Sequence, residues 1–331
     1  MRHTSFGRTG MAVSRLCLGT MTFGVQCDQP LSFDIMDTAV EHGITFFDTA
    51  NVYPSGGDLS TVGRTEEIIG NWMSIRGNRD DIVLATKCVG VMGPHRWQRG
   101  ASRKHIMDAV DASLRRLQTD WIDLYQLHSY DPRTPQDESL SALDDLVRMG
   151  KVRYVGCSNH DAWQVARGNG IAAAAGLQRF DSVQPRYSLL FRSYERDLFP
   201  LCELDDIAVI PYNPLAGGLL SGKHSPQSAP AENTRFSIGT AAERYQERYW
   251  QDAEFATVDA LRPIAAEAGM SMVTLANAWV LAHPAITSSI IGASKPEQLA
   301  DAVAAVDITL DDDLKQQLDE LTAGYLYAPW R

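Results

Sequence analysis

The chain has 331 residues, with 30 Lys plus Arg against 41 Asp plus Glu and a formal net charge of −11. At 44% apolar residues it is too hydrophobic for a disordered protein, and its acidic balance excludes the basic face that a nucleic-acid binder sets against phosphates. Five scattered cysteines, Cys17, Cys27, Cys88, Cys157 and Cys202, contain no Cys-x-x-Cys pair, which excludes a zinc ribbon or dithiol and fits a reducing compartment.

Residues 1–20 lack the apolar core of a signal peptide, and no apolar run approaches the ~20 residues of a membrane span. The expectation is a cytoplasmic protein without a membrane partner. Residues 4–10 and 13–15 flank a Gly-Met-Ala turn and predict a hairpin. Eight short apolar runs follow, each ahead of helical patterning. Run 16–19 precedes a helix over 33–41, run 44–47 one over 66–75, and run 82–86 one over 103–117. Runs 122–127, 152–157 and 181–184 precede helices over 140–149, 163–175 and 194–204. Run 208–212 leads into a long loop and helices over 253–268 and 273–281, and run 288–291 leads into a helix over 296–306. A further helix over 310–321 and an aromatic tail, 325–331, end the chain.

Short, often continuously apolar runs are how strands buried on both faces of a parallel sheet read. Eight βα units fit an α/β fold of the (β/α)8 TIM-barrel type, with an N-terminal β-hairpin and a C-terminal helix plus tail. An open doubly wound sheet is the competing architecture. The count of eight and the absence of a composition break favour one barrel domain over 1–331. Two segments, 89–100 and 216–242, are rich in Gly, Pro and polar residues. Both follow strands, so a barrel puts both on the face that carries chemistry.

The residues that end the runs converge at that mouth. Asp48 ends the second run and Tyr53 lies five residues on; Lys87 ends the third and His128 the fourth. Ser158 and Asn159 follow the fifth, Gln184 ends the sixth, Tyr212 the seventh, and Gly292, Ala293 and Ser294 follow the eighth. A lysine ending an apolar strand is costly unless paired, and Asp48 supplies the countercharge. A phenol is a poor acid at neutral pH unless a cation lowers its pKa; Lys87 beside Tyr53 is expected to do so. His128 then orients a carbonyl oxygen. The quartet is a proton donor aimed at a carbonyl, with no activated Ser or Cys and no metal-ligand cluster. Each residue alone has a plainer reading: a buried ion pair, a surface aromatic, a core histidine.

The same residues lie in motifs that resemble the aldo-keto reductase superfamily over nearly the whole length. These are Gly7-Arg-Thr-Gly10, Leu18-Gly-Thr-Met-Thr-Phe-Gly24, Phe47-Asp-Thr-Ala-Asn-Val-Tyr53 and Ser113-Leu-Arg-Arg-Leu117. Asp123-Leu-Tyr-Gln-Leu-His128, Gly150-Lys-Val-Arg-Tyr-Val-Gly-Cys-Ser-Asn159, Tyr212-Asn-Pro-Leu-Ala-Gly-Gly-Leu-Leu220 and Ile290-Ile-Gly-Ala-Ser294 continue the series. The resemblance implies an NAD(P)H-dependent oxidoreductase with catalytic Asp48, Tyr53, Lys87 and His128, reducing aldehydes or ketones to alcohols. It implies that Ser158, Asn159 and Gln184 hold the nicotinamide carboxamide and that Tyr212 stacks on the ring.

For the cofactor's phosphates the expected contacts are Asn213, the backbone of Leu215, Gly217 and Leu219, and the cations Lys223 and Arg235. This segment is a near match to a P-loop, Gly217-x-x-x-x-Gly222-Lys223, but His224 stands where Ser or Thr would ligate magnesium. Gly168-x-Gly-x-x-Ala173 does not follow a strand directly and reads as an irregular helix end. The adenosine end is assigned to Gly292, Ser294, Lys295 and Gln298. There the family's usual Asn, four residues beyond the Gln, is Ala302. Ser294 and Lys295 suit a 2′-phosphate at a helix N-terminus, so NADPH is preferred over NADH.

Phe23, Tyr53, Trp97 and Tyr130 are expected to line the substrate pocket, with Tyr325, Tyr327 and Trp330 of the tail either joining them or packing on the barrel. An anionic substrate would draw on Arg96, Arg99 or Arg192. The alternatives are an NADP(H)-binding regulatory subunit with vestigial chemistry, like the potassium-channel β subunits, and a metal-dependent barrel enzyme using Asp48 and His128. No feature specifies an oligomeric state. The few useful cations, Lys87, Lys223, Arg235 and Lys295, are expected to gather at the mouth against the sign of the whole chain.

Overall fold

A computed structural model describes residues 1–328; Trp330 lies outside the described residues. Among the described residues, a two-stranded hairpin, β1 (His3–Ser5) and β2 (Ala12–Ser14), precedes a ring of eight parallel strands. These are β3 (Leu16–Gly19), β4 (Phe46–Asp48), β5 (Val83–Cys88), β6 (Ile122–Leu127), β7 (Val152–Ser158), β8 (Ser182–Gln184), β9 (Ala208–Val209) and β10 (Ser289–Gly292). Neighbours pair in chain order and β10 pairs with β3. The ring closes where the amides of Thr287 and Ile290 donate to the carbonyls of Val209 and Pro211 at 2.9 and 2.8 Å. The fold is a (β/α)8 barrel, and the open-sheet alternative is excluded by that closure.

Helices α1 (Gln29–Glu41), α2 (Arg64–Arg76), α3 (Arg103–Leu117), α4 (Gln136–Arg148) and α5 (Ala162–Ala175) follow the first five barrel strands. Local signals set their ends. Asp28 caps α1 by accepting from the Leu31 amide, Asp161 and Gln164 form a capping box on α5, and Gly77 and Gly176 end α2 and α5 in the left-handed conformation. The helix expected over 194–204 is instead a 3-10 turn, Ser193–Arg196, and then α6 (Leu198–Leu204). Pro200 explains the break, because its ring would collide with the Arg196 carbonyl of a continuous helix. Within the long loop the sequence pattern missed α7 (Ala242–Tyr249), which precedes α8 (Asp252–Glu267) and α9 (Met272–Ala282). The helix expected over 296–306 reduces to α10 (Leu299–Ala304) between 3-10 turns, and α11 (Asp312–Leu321) follows. Gly168 lies inside α5, not at an irregular end: a Cβ there would sit 2.9 Å from the Phe180 ring, so the glycine permits close packing.

The barrel interior is a small core of its own. Cys17, Phe46, Ala85, Leu124, Ala208, Ile210 and Ile290 fill it, and Phe6 and Val13 of the hairpin plug its lower end. The larger core lies between the strands and the surrounding helices. The tail packs outside: Tyr325 Oη bonds Thr257 Oγ1 of α8 at 2.9 Å, and the guanidinium of Arg196 lies 4.7 Å from the Tyr327 ring. No single helix among the described residues is long and apolar enough to cross a membrane.

Candidate active site

Alternation along the strands builds the site. Residues two apart on a strand point to the same side, so the residues two positions beyond the apolar layer also face the barrel axis. Phe46 leads to Asp48, Ala85 to Lys87, Leu124 to Gln126 and Ser182 to Gln184. The register agrees, since Lys87 stands opposite Gln126, and Ser158 opposite Gln184. One step higher, His128 follows Gln126. A polar layer therefore sits on an apolar one, at the C-terminal end of the strands.

That layer is closely bonded. Lys87 Nζ donates to Asp48 Oδ2 at 2.5 Å and to the Thr49 carbonyl at 2.8 Å. Gln184 and Gln126 donate to Asp48 Oδ1 at 2.7 and 3.3 Å. Both ions are buried, Lys87 completely, so each depends on the other to offset lost hydration. Tyr53 reaches the same centre from the loop after β4. Its ring meets His128 edge-on at 5.7 Å between centroids, and Lys87 Nζ stands 5.1 Å from its centroid.

Electrostatics here departs from the sequence-based expectation for Tyr53. Burial raises the Tyr53 phenol above its ordinary value, and the pull of Lys87 offsets only part of that. Tyr53 is thus a neutral phenol held next to a cation. Burial lowers Lys87, but Asp48 and Tyr53 outweigh it and leave the ammonium above its ordinary pKa. His128 is pushed down to about 3 by burial, then Lys87 and Arg244, so its ring is neutral at physiological pH.

Beside this centre lies a cavity of about 300 Å³ between the loops after β3, β9 and β10, walled by Tyr212, Asn213, Leu215, Gly217, Arg235 and Gln298 among others. Lys223, Tyr245, Asn277, Gly292 and Ser294 also reach it. Tyr212 joins the cavity to the quartet by donating to Asn159 Oδ1 at 2.8 Å, while Asn159 Nδ2 donates to the His128 carbonyl at 2.9 Å. Ser158 Oγ donates to the Gln184 carbonyl at 2.8 Å.

Two expected contacts stand elsewhere. Leu219 is fully buried in the outer core, and exposed Lys295 is not part of the cavity wall. The amides of Ala216, Gly217 and Gly218 are already taken, by the Asn213 carbonyl, Asn213 Oδ1 and the Leu215 carbonyl. The segment is a 3-10 turn with Gly217 and Gly218 at φ 72° and 103°, not a strand–loop–helix P-loop, and His224 packs edge-on against Phe236 and Trp250. Ser294 and Gln298 are bonded to each other, the Ser294 amide donating to Gln298 Oε1 at 2.8 Å.

Of the expected pocket residues, Phe23 is fully buried in the outer core, where its carbonyl accepts from Thr65 Oγ1. Trp97 is about half exposed and stacks on His95 at 4.6 Å. Tyr130 is edge-on to His160 and Trp163. Sequence reasoning missed Gln126, Tyr245 and Asn277. Gln126 was findable: it is a polar residue in an apolar run, two positions before His128. Tyr245 sits on the helix that was itself missed. Asn277 Oδ1 is buried in the cavity wall without a partner among the described residues. No group of three or more His, Cys, Asp or Glu among the described residues is placed to hold a metal ion.

Known proteins resemble this chain across most of its length. The model of the aldo/keto reductase family matches residues 15–323. The chain is 39% identical to the uncharacterized oxidoreductase YrpG of Bacillus subtilis, over 98% of this chain and 97% of that one. It is 34% identical to norsolorinic acid reductase A of Aspergillus parasiticus, covering 94% and 78%. It is also 34% identical to a probable voltage-gated potassium channel subunit beta of Oryza sativa subsp. japonica, covering 93% and 92%.

Proposed function

This chain belongs to the aldo/keto reductase family and is an oxidoreductase, and from that premise we propose that it reduces aldehyde or ketone carbonyls to alcohols with NADPH as hydride donor. The observation that carries the reading is the quartet itself: a phenol, a buried ammonium, its carboxylate and a neutral imidazole at one strand-end layer, opening beside a cavity with cations on its wall. The cofactor supplies a hydride to the carbonyl carbon. Tyr53 gives its proton to the carbonyl oxygen as negative charge develops there. Lys87 stabilises the phenolate left behind, and Asp48, fixed by Gln184 and Gln126, holds the ammonium in place. Neutral His128 donates a hydrogen bond that orients the same oxygen. With a pKa near 3 the imidazole does not compete as a proton source.

The residues of the cavity and those bonded beside it suit the cofactor. Asn159 and Ser158 suit the carboxamide, and Tyr212 offers the ring face. Arg235 and Lys223 suit the pyrophosphate, where side chains matter more than the occupied glycine amides. Asn277 Oδ1 is a buried acceptor waiting for a donor, and Ser294 with Gln298 suits the adenosine end. Gln184, with its amide nitrogen on Asp48, supports the quartet. We place the protein in the cytoplasm.

The test is cofactor-coupled turnover of an aromatic aldehyde such as 4-nitrobenzaldehyde. Tyr53→Phe is expected to lower kcat by about 10²–10⁴-fold while NADPH still binds by fluorescence titration. Wild-type turnover in that variant would overturn the mechanism. Tight NADPH binding with no turnover over a broad carbonyl panel would favour the regulatory-subunit reading, which the channel-subunit relative keeps in view.

A further inference from the structure

Arg186 has no role in the reading above, yet it is one of the most unusual residues in the molecule. Its side chain is 2% exposed, and its Nε is buried without an acceptor. Among the described residues no carboxylate lies within ion-pair distance of it. Its guanidinium rests on the Phe191 ring at 3.6 Å and lies 5.9 Å from the Tyr249 ring. Six residues on, Arg192 is almost as buried, at 5%, and shows the usual solution: Glu195 accepts from it at 2.8 and 2.9 Å, and Asp319 stands at 3.5 Å. A buried cation left without an anion is expensive, and stacking on aromatic faces returns only part of that cost.

The bridge just beyond the strand says where the cation sits. Gln184 ends β8, facing the barrel axis and bonding Asp48, and Arg186 follows it across Pro185. Arg186 also stands opposite Tyr212 in a parallel bridge, and bridged partners project to the same face. Tyr212 projects into the mouth, onto Asn159. Arg186 therefore lies beside Tyr212 at the C-terminal end of the barrel, beyond the quartet. It is not alone there. Helix α7 brings Arg244, whose charge is felt at His128, and Arg248, which acts with Arg186 on the Tyr212 phenol. Among the described residues, the largest charge effects at Tyr212 and His128 come from cations. Arg192, a cation the sequence offered for an anionic substrate, is consumed by its own carboxylates, whereas Arg186, two residues past Gln184, is not.

We infer that Arg186 is a specificity-determining residue and that the substrate of this enzyme is a carbonyl compound carrying a carboxylate, which supplies the missing partner of the buried guanidinium. The inference rests on the reductase reading and names its substrate class. Arg186 holds the carboxylate, with Arg244 raising the local potential at the rim, and the carbonyl is thereby directed toward Tyr53 and His128.

The experiment compares 4-carboxybenzaldehyde with neutral 4-nitrobenzaldehyde, both with NADPH, and reads the ratio of their kcat/KM values. The wild type is expected to favour the carboxylate. Arg186→Met should lower the ratio at least tenfold, chiefly through the KM of the carboxylate, and Arg186→Lys should recover part of it by restoring charge without the planar fork. A thermal melt checks that Arg186→Met folds. If it does not, Arg244→Met, on an exposed position of α7, carries the test and should lower the ratio severalfold. A ratio that is the same in the wild type and every folded variant, or a wild type that prefers the neutral aldehyde, overturns the inference. Failure of the wild type to reduce either aldehyde overturns the reductase reading on which it rests.

Discussion

Replacing Lys87 by Met separates a structural ion pair from a catalytic one. The substitution keeps the length of the side chain but removes the ammonium, leaving Asp48 buried with two glutamine amides and no countercharge. Breaking a buried pair from one side costs about 3–5 kcal/mol. For a chain of 331 residues the unfolding entropy is roughly 0.7 kcal/mol per degree. The expected loss is thus a fall in Tm of about 4–7 °C. Asp48→Asn leaves Lys87 buried on neutral acceptors, the Thr49 carbonyl among them, with no countercharge, and should also destabilise. In the double variant, Asp48→Asn with Lys87→Met, neither charge remains, so its loss should be clearly smaller than the sum of the single losses. Stability measured by urea unfolding or thermal melts closes the cycle. Turnover behaves differently: Lys87→Met and the double variant should both lose on the order of 10²-fold in kcat, because restored stability does not restore a cation next to Tyr53. A double variant that recovers turnover together with stability would refute the catalytic role. Additive stability losses would refute the coupling.

The histidines make stability fall in mild acid. His160 is buried, its Nδ1 lies 2.9 Å from the Ser158 carbonyl, and burial pushes it down to about 4. The unfolded chain takes the proton near pH 6.5, well before the folded one, so stability is present above that value and is lost as pH falls toward 4. For His160 the loss is about 3 kcal/mol at 1.36 kcal/mol per pKa unit. His128 and His224 act with the same sign. Urea unfolding between pH 7 and 4 should show His160→Phe with a shallower slope than the wild type, and an unchanged slope would refute the assignment. In the cavity, Arg235→Met removes a cation from the wall, and the NADPH Kd should rise roughly tenfold, the effect of one charge-assisted hydrogen bond. The salt dependence of binding should flatten with it, and an unchanged Kd by fluorescence titration would remove Arg235 from the phosphate contacts.

The amino-acid order by itself determined the barrel and the quartet. Eight apolar runs are a local signal, and the residues ending them are local too, so Asp48, Lys87 and His128 were legible without coordinates. Alternation within a run even contained Gln126, two positions before His128. What the order could not determine was how environments sum. Lys87 does lower the Tyr53 phenol, yet burial, which is set by the whole surrounding fold, outweighs it. The glycine amides of the loop after β9 looked free for phosphates, and only folding showed Asn213 and Leu215 already bonded to them. Phe23 looked like a pocket residue because it follows β3, but the loop turns its ring into the outer core. Arg192 has Glu195 only three residues on, a local partner, and tertiary structure added Asp319. For Arg186, folding brought aromatic rings but no carboxylate within ion-pair distance among the described residues, because pairing of that kind depends on distance between elements far apart along the chain.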